Sequence, residues 1–322
     1  MARPRIIVTR KLPAPVEERL KSLFTVALNP SDTPFSKEKL SKAMARADGL
    51  LCTFGDKIDA DILAANEART ARIVANFGVG TNHIDIAAAQ ALGVVVTNTP
   101  GVLTDATADL AMALILASTR RMFFHEARLR RGDWAGFDLT FGLGCALRGK
   151  TLGVVGMGRI GTALARRAHF GFGMKVIYFN RSKVLLPSLP EAEAKESLEA
   201  VLAAADVVSL HVPGEAHNRH LISAERLALM KPGAHLVNTA RGDVVDEAAL
   251  IAALQNGAIA GAGLDVFAQE PKVPEALKAL DNVTLLPHIG SATIETRIAM
   301  GMRAVDNLVA FFADGVPPHQ VV

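Results

Sequence analysis

Short β-branched runs alternate with Ala-rich amphipathic stretches along nearly the whole chain, and that alternation dictates parallel sheets with helical crossovers. The runs occupy residues 6–9, 50–53, 73–76 and 94–97, then residues 152–155, 175–179, 207–211, 235–238, 262–265 and 283–286. The two series predict an α/β protein of two doubly wound, Rossmann-like parallel-sheet domains with an interdomain cleft. Residues 103–130, free of Gly and Pro, read as one long helix between the series, and residues 292–312 read as a second after the last strand. If that second helix returns the chain to the first lobe, residues 1–99 and 290–322 form one discontinuous domain. Residues 100–289 are then a second domain inserted into it.

Composition narrows the function classes. The 322 residues carry 35 Lys+Arg against 32 Asp+Glu, a formal charge of +3 that is dispersed along the chain. The basic run 128–131 is interleaved with Leu129 and followed by Trp134 and Phe137, which suits a helix end or subunit contact better than a nucleic-acid stripe. Aromatics make up 5%, little material for stacking bases, so no nucleic-acid partner is expected. The longest apolar stretch, residues 110–117, falls far short of the roughly 20 residues a membrane span needs, and the first ten residues hold no export-type apolar core. The expectation is a cytoplasmic protein without a membrane partner. Cys52 and Cys145 are isolated from each other and from any His spacing, which excludes a disulfide framework and a structural zinc site.

Gly156, Gly158 and Gly161, enclosing Met157, Arg159 and Ile160, form GxGxxG directly after an apolar strand and at the opening of a helix. In that context the first glycine permits a tight turn, the second lets backbone approach a pyrophosphate, and the third lets helix pack on strand. The next strand ends not in a carboxylate but in Asn180, Arg181, Ser182 and Lys183. A carboxylate there would favour a free ribose 2'-hydroxyl, whereas an amide, a guanidinium, a hydroxyl and an ammonium suit a 2'-phosphate. NADPH (NADP) is therefore expected in preference to NADH (NAD).

Three polar side chains follow later strand ends: Arg241 in NTARGDVVD, Glu270 in LDVFAQEP and His288 in LLPHIGS. Strand C-termini are where open α/β sheets bind ligands. Together with GMGRIG, these motifs and their order closely resemble the D-isomer-specific 2-hydroxyacid dehydrogenase family, in particular its glyoxylate/hydroxypyruvate reductase type, over essentially the whole length. The resemblance implies reduction of a small 2-keto acid, glyoxylate or hydroxypyruvate foremost, with His288 as general acid, Glu270 orienting its imidazole and favouring the charged form, and Arg241 binding the substrate carboxylate. It further implies substrate contacts from Leu51, Val79, Gly80, Trp134 and Ser291. Cofactor contacts are implied from Thr104, His211, Val212, Pro213, Thr239, Ala240, Asp265 and Gly290, and from Asn218, which stands where relatives usually carry Thr. Trp134 lies in a segment that is part of a dimer arm in this family, so a homodimer is expected, with Trp134 either in the interface or reaching the partner's site. Other keto-acid specificities of the family (2-ketogluconate, phosphoglycerate, D-lactate) and a dinucleotide-sensing corepressor are the alternatives.

Overall fold

The computed structural model describes residues 2–64 and 71–322. The chain divides into two compact units, residues 1–103 with 291–322, and residues 104–290. The first crossing falls after Leu103 and not at the Pro100–Gly101 turn, because Val102 and Leu103 still pack against the first unit's core.

The first unit holds five parallel strands, β1 (Arg5–Val8), β2 (Thr25–Ala27), β3 (Gly49–Thr53), β4 (Ile73–Phe77) and β5 (Val95–Thr97), in the order β2-β1-β3-β4-β5. Successive side chains alternate between its faces: Ile6, Val8, Leu51 and Ala75 enter one apolar cluster, and Leu50, Cys52, Val74 and Val96 enter the other. Both faces are covered, which explains strands that read as continuous apolar runs. The helix Ile294–Asp314, capped by the Thr293 hydroxyl and closed by Gly315 in the left-handed region, contributes Met300, Ala304, Val305 and Leu308 to this unit's core.

The second unit has seven strands, β6 (Thr151–Val155), β7 (Lys175–Phe179), β8 (Glu193–Ala194), β9 (Val207–Leu210), β10 (His235–Asn238), β11 (Gly261–Leu264) and β12 (Val283–Leu285). Their order is β12-β11-β10-β9-β6-β7-β8, with every pair parallel. The chain winds outward from β6 in one direction through β7 and β8, then restarts at β9 and winds the other way. The loop leaving β6 thus opens at a topological switch point, the usual ligand crevice of such sheets.

Two elements depart from the sequence expectation. The long helix over 103–130 is broken into Thr104–Thr119 and Met122–Arg130 by Arg121, whose φ is 50°. With no Gly or Pro at the break, nothing in the composition marks it. β2 and β8 are short, half-polar edge strands without an apolar run to announce them. Among the described residues no helix is long and apolar enough to cross a membrane.

Candidate active site

β10, β11 and β12 lie side by side in the second unit, so the segments leaving their C-terminal ends converge. This places Arg241, Asp265, Glu270 and His288 in one neighbourhood although 47 positions separate the first from the last (288 less 241).

His288 Nδ1 stands 2.7 Å from Glu270 Oε2, with the two side chains 25% and 26% exposed. A carboxylate only accepts, so Nδ1 carries the proton in this contact. The other carboxylate oxygen, Oε1, accepts from the Phe267 amide at 3.0 Å, fixing the carboxyl plane. Burial alone would raise the Glu270 carboxyl. The hydrogen bond and charge of His288, the Phe267 amide and the charge of Arg241 outweigh it and hold the group below its ordinary value.

Arg241 follows β10 in a turn closed by Asn238, whose Oδ1 accepts from the Ala240 amide at 2.9 Å and whose Nδ2 donates to the Arg241 carbonyl at 2.8 Å. One guanidinium nitrogen, Nη1, donates to the Ala240 carbonyl at 2.6 Å. Among the described residues Arg241 forms no ion pair. Burial lowers its pKa from the ordinary value while the charges of Glu270 and Asp243 work against that shift, and a guanidinium remains cationic throughout. A half-buried cation that forms no ion pair among the described residues, near enough to feel the charge of the Glu270 that holds the His288 imidazole, can bind an anionic substrate while that imidazole exchanges a proton with it.

His288 adopts φ 55°, in the left-handed region that few non-glycine residues occupy, and Asp265 supports it. The Asp265 carbonyl accepts from the His288 amide at 2.9 Å; its Oδ1 and Oδ2 accept from the Ile289 and Gly290 amides at 2.7 and 2.8 Å. Thr107 Oγ1 donates to the Gly290 carbonyl at 3.1 Å. The family resemblance puts Asp265 at the cofactor; its buried carboxylate instead faces these amides and braces the turn that carries His288. Burial raises its pKa, with the two amides and the charge of His288 opposing.

The GxGxxG turn has the geometry its sequence predicts. Gly156 sits at φ 94°, and a Cβ there would lie 2.7 Å from the His211 carbonyl oxygen; one on Gly161 would lie 2.3 Å from the Gly156 oxygen. A Cβ on Gly158 would meet nothing within 4 Å, so that edge of the turn is open at the N-terminus of helix Arg159–Arg166. Backbone can therefore approach a pyrophosphate, and the helix end favours its charge. At the end of β10, Thr239 Oγ1 is buried without a hydrogen-bond partner among the described residues. These residues fit a dinucleotide.

Several expected cofactor contacts serve the protein itself. Met157 is buried in the core, and its amide donates to Asn180 Oδ1 at 3.1 Å, so neither group faces outward. Asn180 also donates from Nδ2 to the Ser182 carbonyl at 2.8 Å, tying the strand end to the glycine turn and leaving Arg181 and Ser182 exposed. His211 Nε2 is 2.9 Å from Ser209 Oγ, and Val212 packs against the core. The Pro213 carbonyl accepts from the buried Asn218 Nδ2 at 2.9 Å, a loop-closing bond that occupies the amide side of Asn218. Ile160 is half-buried against the core, Ala240 half-buried, Arg159 exposed, and Thr104 opens its helix.

In the first unit the Leu51 side chain is directed into the core. Its side chain is fully buried in the core and its carbonyl accepts from the Thr9 amide at 3.0 Å, since every residue of a doubly covered strand has an inward face. The loop after β4 is shaped by two asparagines. Asn76 Nδ2 donates to the carbonyls of Gly78 and Gly80 at 3.1 and 2.9 Å, and Asn98 Nδ2 donates to that of Val79 at 3.0 Å. With those three carbonyls engaged, amides are what this loop offers an anion. Ser291 is half-buried, its carbonyl accepting from the Thr293 amide at 2.9 Å. In the second unit Trp134 is 61% exposed, and the preceding helix Met122–Arg130 has no buried residue.

The family model described as D-isomer specific 2-hydroxyacid dehydrogenase, NAD binding domain, matches residues 112–290. The glyoxylate reductase of Thermococcus litoralis is 44% identical over 328 residues, spanning 99% of this chain and 97% of its own length. The chain belongs to the D-isomer specific 2-hydroxyacid dehydrogenase family. The glyoxylate reductase of Thermofilum pendens is 45% identical over 326 residues, covering 100% and 95% of the two chains. Among solved structures of the family, an NADPH-dependent glyoxylate/hydroxypyruvate reductase from Sinorhizobium meliloti, in complex with NADP and malonate, aligns with a TM-score of 0.88. It is 40% identical and covers 100% of this chain and 97% of its own. The segment matched by the family model takes in the glycine turn, the 180–183 strand end, Arg241, Glu270 and His288 of this 2-hydroxyacid dehydrogenase.

Proposed function

We propose that this dehydrogenase reduces small 2-keto acids, glyoxylate and hydroxypyruvate foremost, with NADPH in preference to NADH. The observation that carries the reading is the 2.7 Å contact of His288 with Glu270 on the same strand ends as a cation with no ion pair among the described residues, Arg241. The names of its relatives, glyoxylate reductases and an NADPH-dependent glyoxylate/hydroxypyruvate reductase, support the substrate class.

Bound at the Gly156–Gly161 turn, the nicotinamide cofactor supplies the hydride. Arg241 holds the substrate carboxylate with its planar fork and draws charge toward the adjacent carbonyl. His288 delivers a proton from Nε2 to the carbonyl oxygen as general acid, and Glu270 keeps the ring oriented through Nδ1. In the reverse direction Nε2 takes the hydroxyl proton. Thr239 is assigned to the cofactor, Arg181 and Ser182 to its 2'-phosphate, and the Val79 and Gly80 amides to an anionic group. A homodimer joined through residues 122–143 fits an exposed apolar series that includes Phe137 at 90% and Leu143 at 70% exposure.

The deciding measurement is initial-rate oxidation of NADPH and of NADH against glyoxylate, hydroxypyruvate, pyruvate and 2-ketogluconate, with Arg241→Ala as the blank. Turnover of the first two acids with NADPH, lost in the variant, is the expected result. Preference for NADH would overturn the cofactor assignment, and activity on pyruvate or 2-ketogluconate alone would overturn the substrate assignment.

A further inference from the structure

The strand end that carries Arg181 meets a second loop of the same unit. Arg181 Nη1 is 3.1 Å from His217 Nε2, and His217 Nδ1 is 3.3 Å from Glu215 Oε2. A guanidinium has only donors, so Nε2 accepts from it, and the remaining ring nitrogen carries its proton toward the Glu215 carboxylate. The three side chains stand in contact in series, ending on a guanidinium whose remaining N–H groups have no hydrogen-bond partner among the described residues.

Both ends of this chain are held by asparagines. Asn180 ties the Arg181 turn to the Met157 amide and the Ser182 carbonyl. Asn218, buried beside His217, clasps the Pro213 carbonyl while its own amide donates to the Glu215 carbonyl at 2.8 Å, closing the turn Ala216–Asn218 that presents the imidazole. An exposed arginine otherwise loses considerable side-chain freedom when it clamps a phosphate. Here an imidazole on a closed turn removes part of that freedom before any ligand arrives.

We infer that His217 is a specificity-determining residue that pre-positions Arg181 for the 2'-phosphate of the cofactor, with Glu215 orienting the imidazole. The inference rests on the NADPH reading above and deepens it. His217 acts through Arg181 and contacts no reacting atom, so it is a positioning residue. Its effect appears in discrimination between phosphorylated and unphosphorylated ribose.

Adenosine 2',5'-bisphosphate and AMP isolate that discrimination from turnover, because they differ by the 2'-phosphate and lack the nicotinamide. Calorimetric titration of both nucleotides is carried out with the full-length protein and with His217→Ala, His217→Gln and Arg181→Ala. The wild type is expected to prefer the bisphosphate. Arg181→Ala abolishes the preference, His217→Ala reduces it about fivefold by leaving the guanidinium unrestrained, and His217→Gln, whose amide oxygen can accept from Arg181, restores most of it. No preference in the wild type would overturn the cofactor reading. A preference lost in Arg181→Ala but unchanged in His217→Ala would overturn the role of His217 alone. Equal loss of affinity for both nucleotides in His217→Ala would reduce His217 to a loop-packing residue and also overturn it.

Discussion

A Cβ built on Gly242 would stand 1.9 Å from the carbonyl carbon of Phe267 and 2.4 Å from the Ala268 nitrogen. The backbone following Arg241 thus lies directly against the backbone leading to Glu270, whose Oε1 accepts from the Phe267 amide. A methyl group cannot be accommodated there by rotating a side chain, because every neighbour in the way is main chain. Gly242→Ala is expected to separate the two loops, costing about 3 kcal/mol of stability, at the upper end of overpacking effects. Turnover should fall more than stability requires, since Arg241 and Glu270 both move. A thermal melt combined with kcat at a temperature where the variant is folded checks this; a variant with wild-type kcat would show that the loops tolerate separation.

Glu270→Gln keeps the size of the side chain and removes its charge. The amide can still face His288 Nδ1, but it no longer stabilises an imidazolium during proton transfer. A drop in kcat of about 100-fold is expected, within the usual range for impaired general acid catalysis. Arg241→Ala should differ in kind by raising KM for the keto acid as well, because it removes a substrate contact. Steady-state kinetics on the two variants in parallel separates these roles, and an unchanged kcat in Glu270→Gln would dismiss Glu270 as an orienting partner.

The strand-end positions of Arg241, Glu270 and His288 are legible because each follows a short, β-branched-rich apolar run bounded by turn residues, and the ends of neighbouring parallel strands share one edge. What those runs do not encode is the direction of side chains within a doubly covered sheet. Leu51 sits one residue from Cys52 yet enters the opposite core cluster, so a run of buried residues gave no indication of which faced a ligand. Asp265 is a harder case. Its carboxylate partners, Ile289 and Gly290, come from another strand's loop, and no local pattern predicts that pairing. The break at Arg121 and the contact of Arg181 with His217 likewise depend on tertiary placement and not on local propensity.

Asn180→Asp tests how the second strand's end selects a cofactor. The carboxylate can still accept from the Met157 amide but loses the donor that reaches the Ser182 carbonyl, and it brings a negative charge next to the 2'-phosphate subsite assigned to Arg181. The ratio of kcat/KM for NADPH over NADH is expected to fall at least tenfold, a shift of about 1.4 kcal/mol in relative transition-state binding. Kinetics with both cofactors at a fixed keto-acid concentration reads the ratio directly. An unchanged ratio would place the 2'-phosphate away from this turn.

His235, at the start of β10, is buried, with Nδ1 2.7 Å from Ser118 Oγ. Burial pushes its pKa from 6.5 to about 4, so the folded protein keeps the ring neutral over a range in which the unfolded chain protonates it. Between those values acid adds a proton to the unfolded state alone, and stability falls as pH falls, by up to ~1.4 kcal/mol per pH unit for one histidine. Burial pushes His211 and His319 in the same direction, so His235 accounts for part of the slope. The lowered carboxyl of Glu270 contributes in the same sense, but its share is lost only as pH falls through the lower carboxylate range. Urea denaturation midpoints at pH 7 and pH 5, compared between the wild type and His235→Gln, isolate the contribution of His235, because the other titrating groups, the raised Asp265 carboxyl among them, are common to both proteins. The wild type is expected to lose stability across this interval, and His235→Gln to lose less, whatever its absolute stability. Equal losses in the two proteins would mean that the Ser118–His235 pair titrates alike in the folded and unfolded chains.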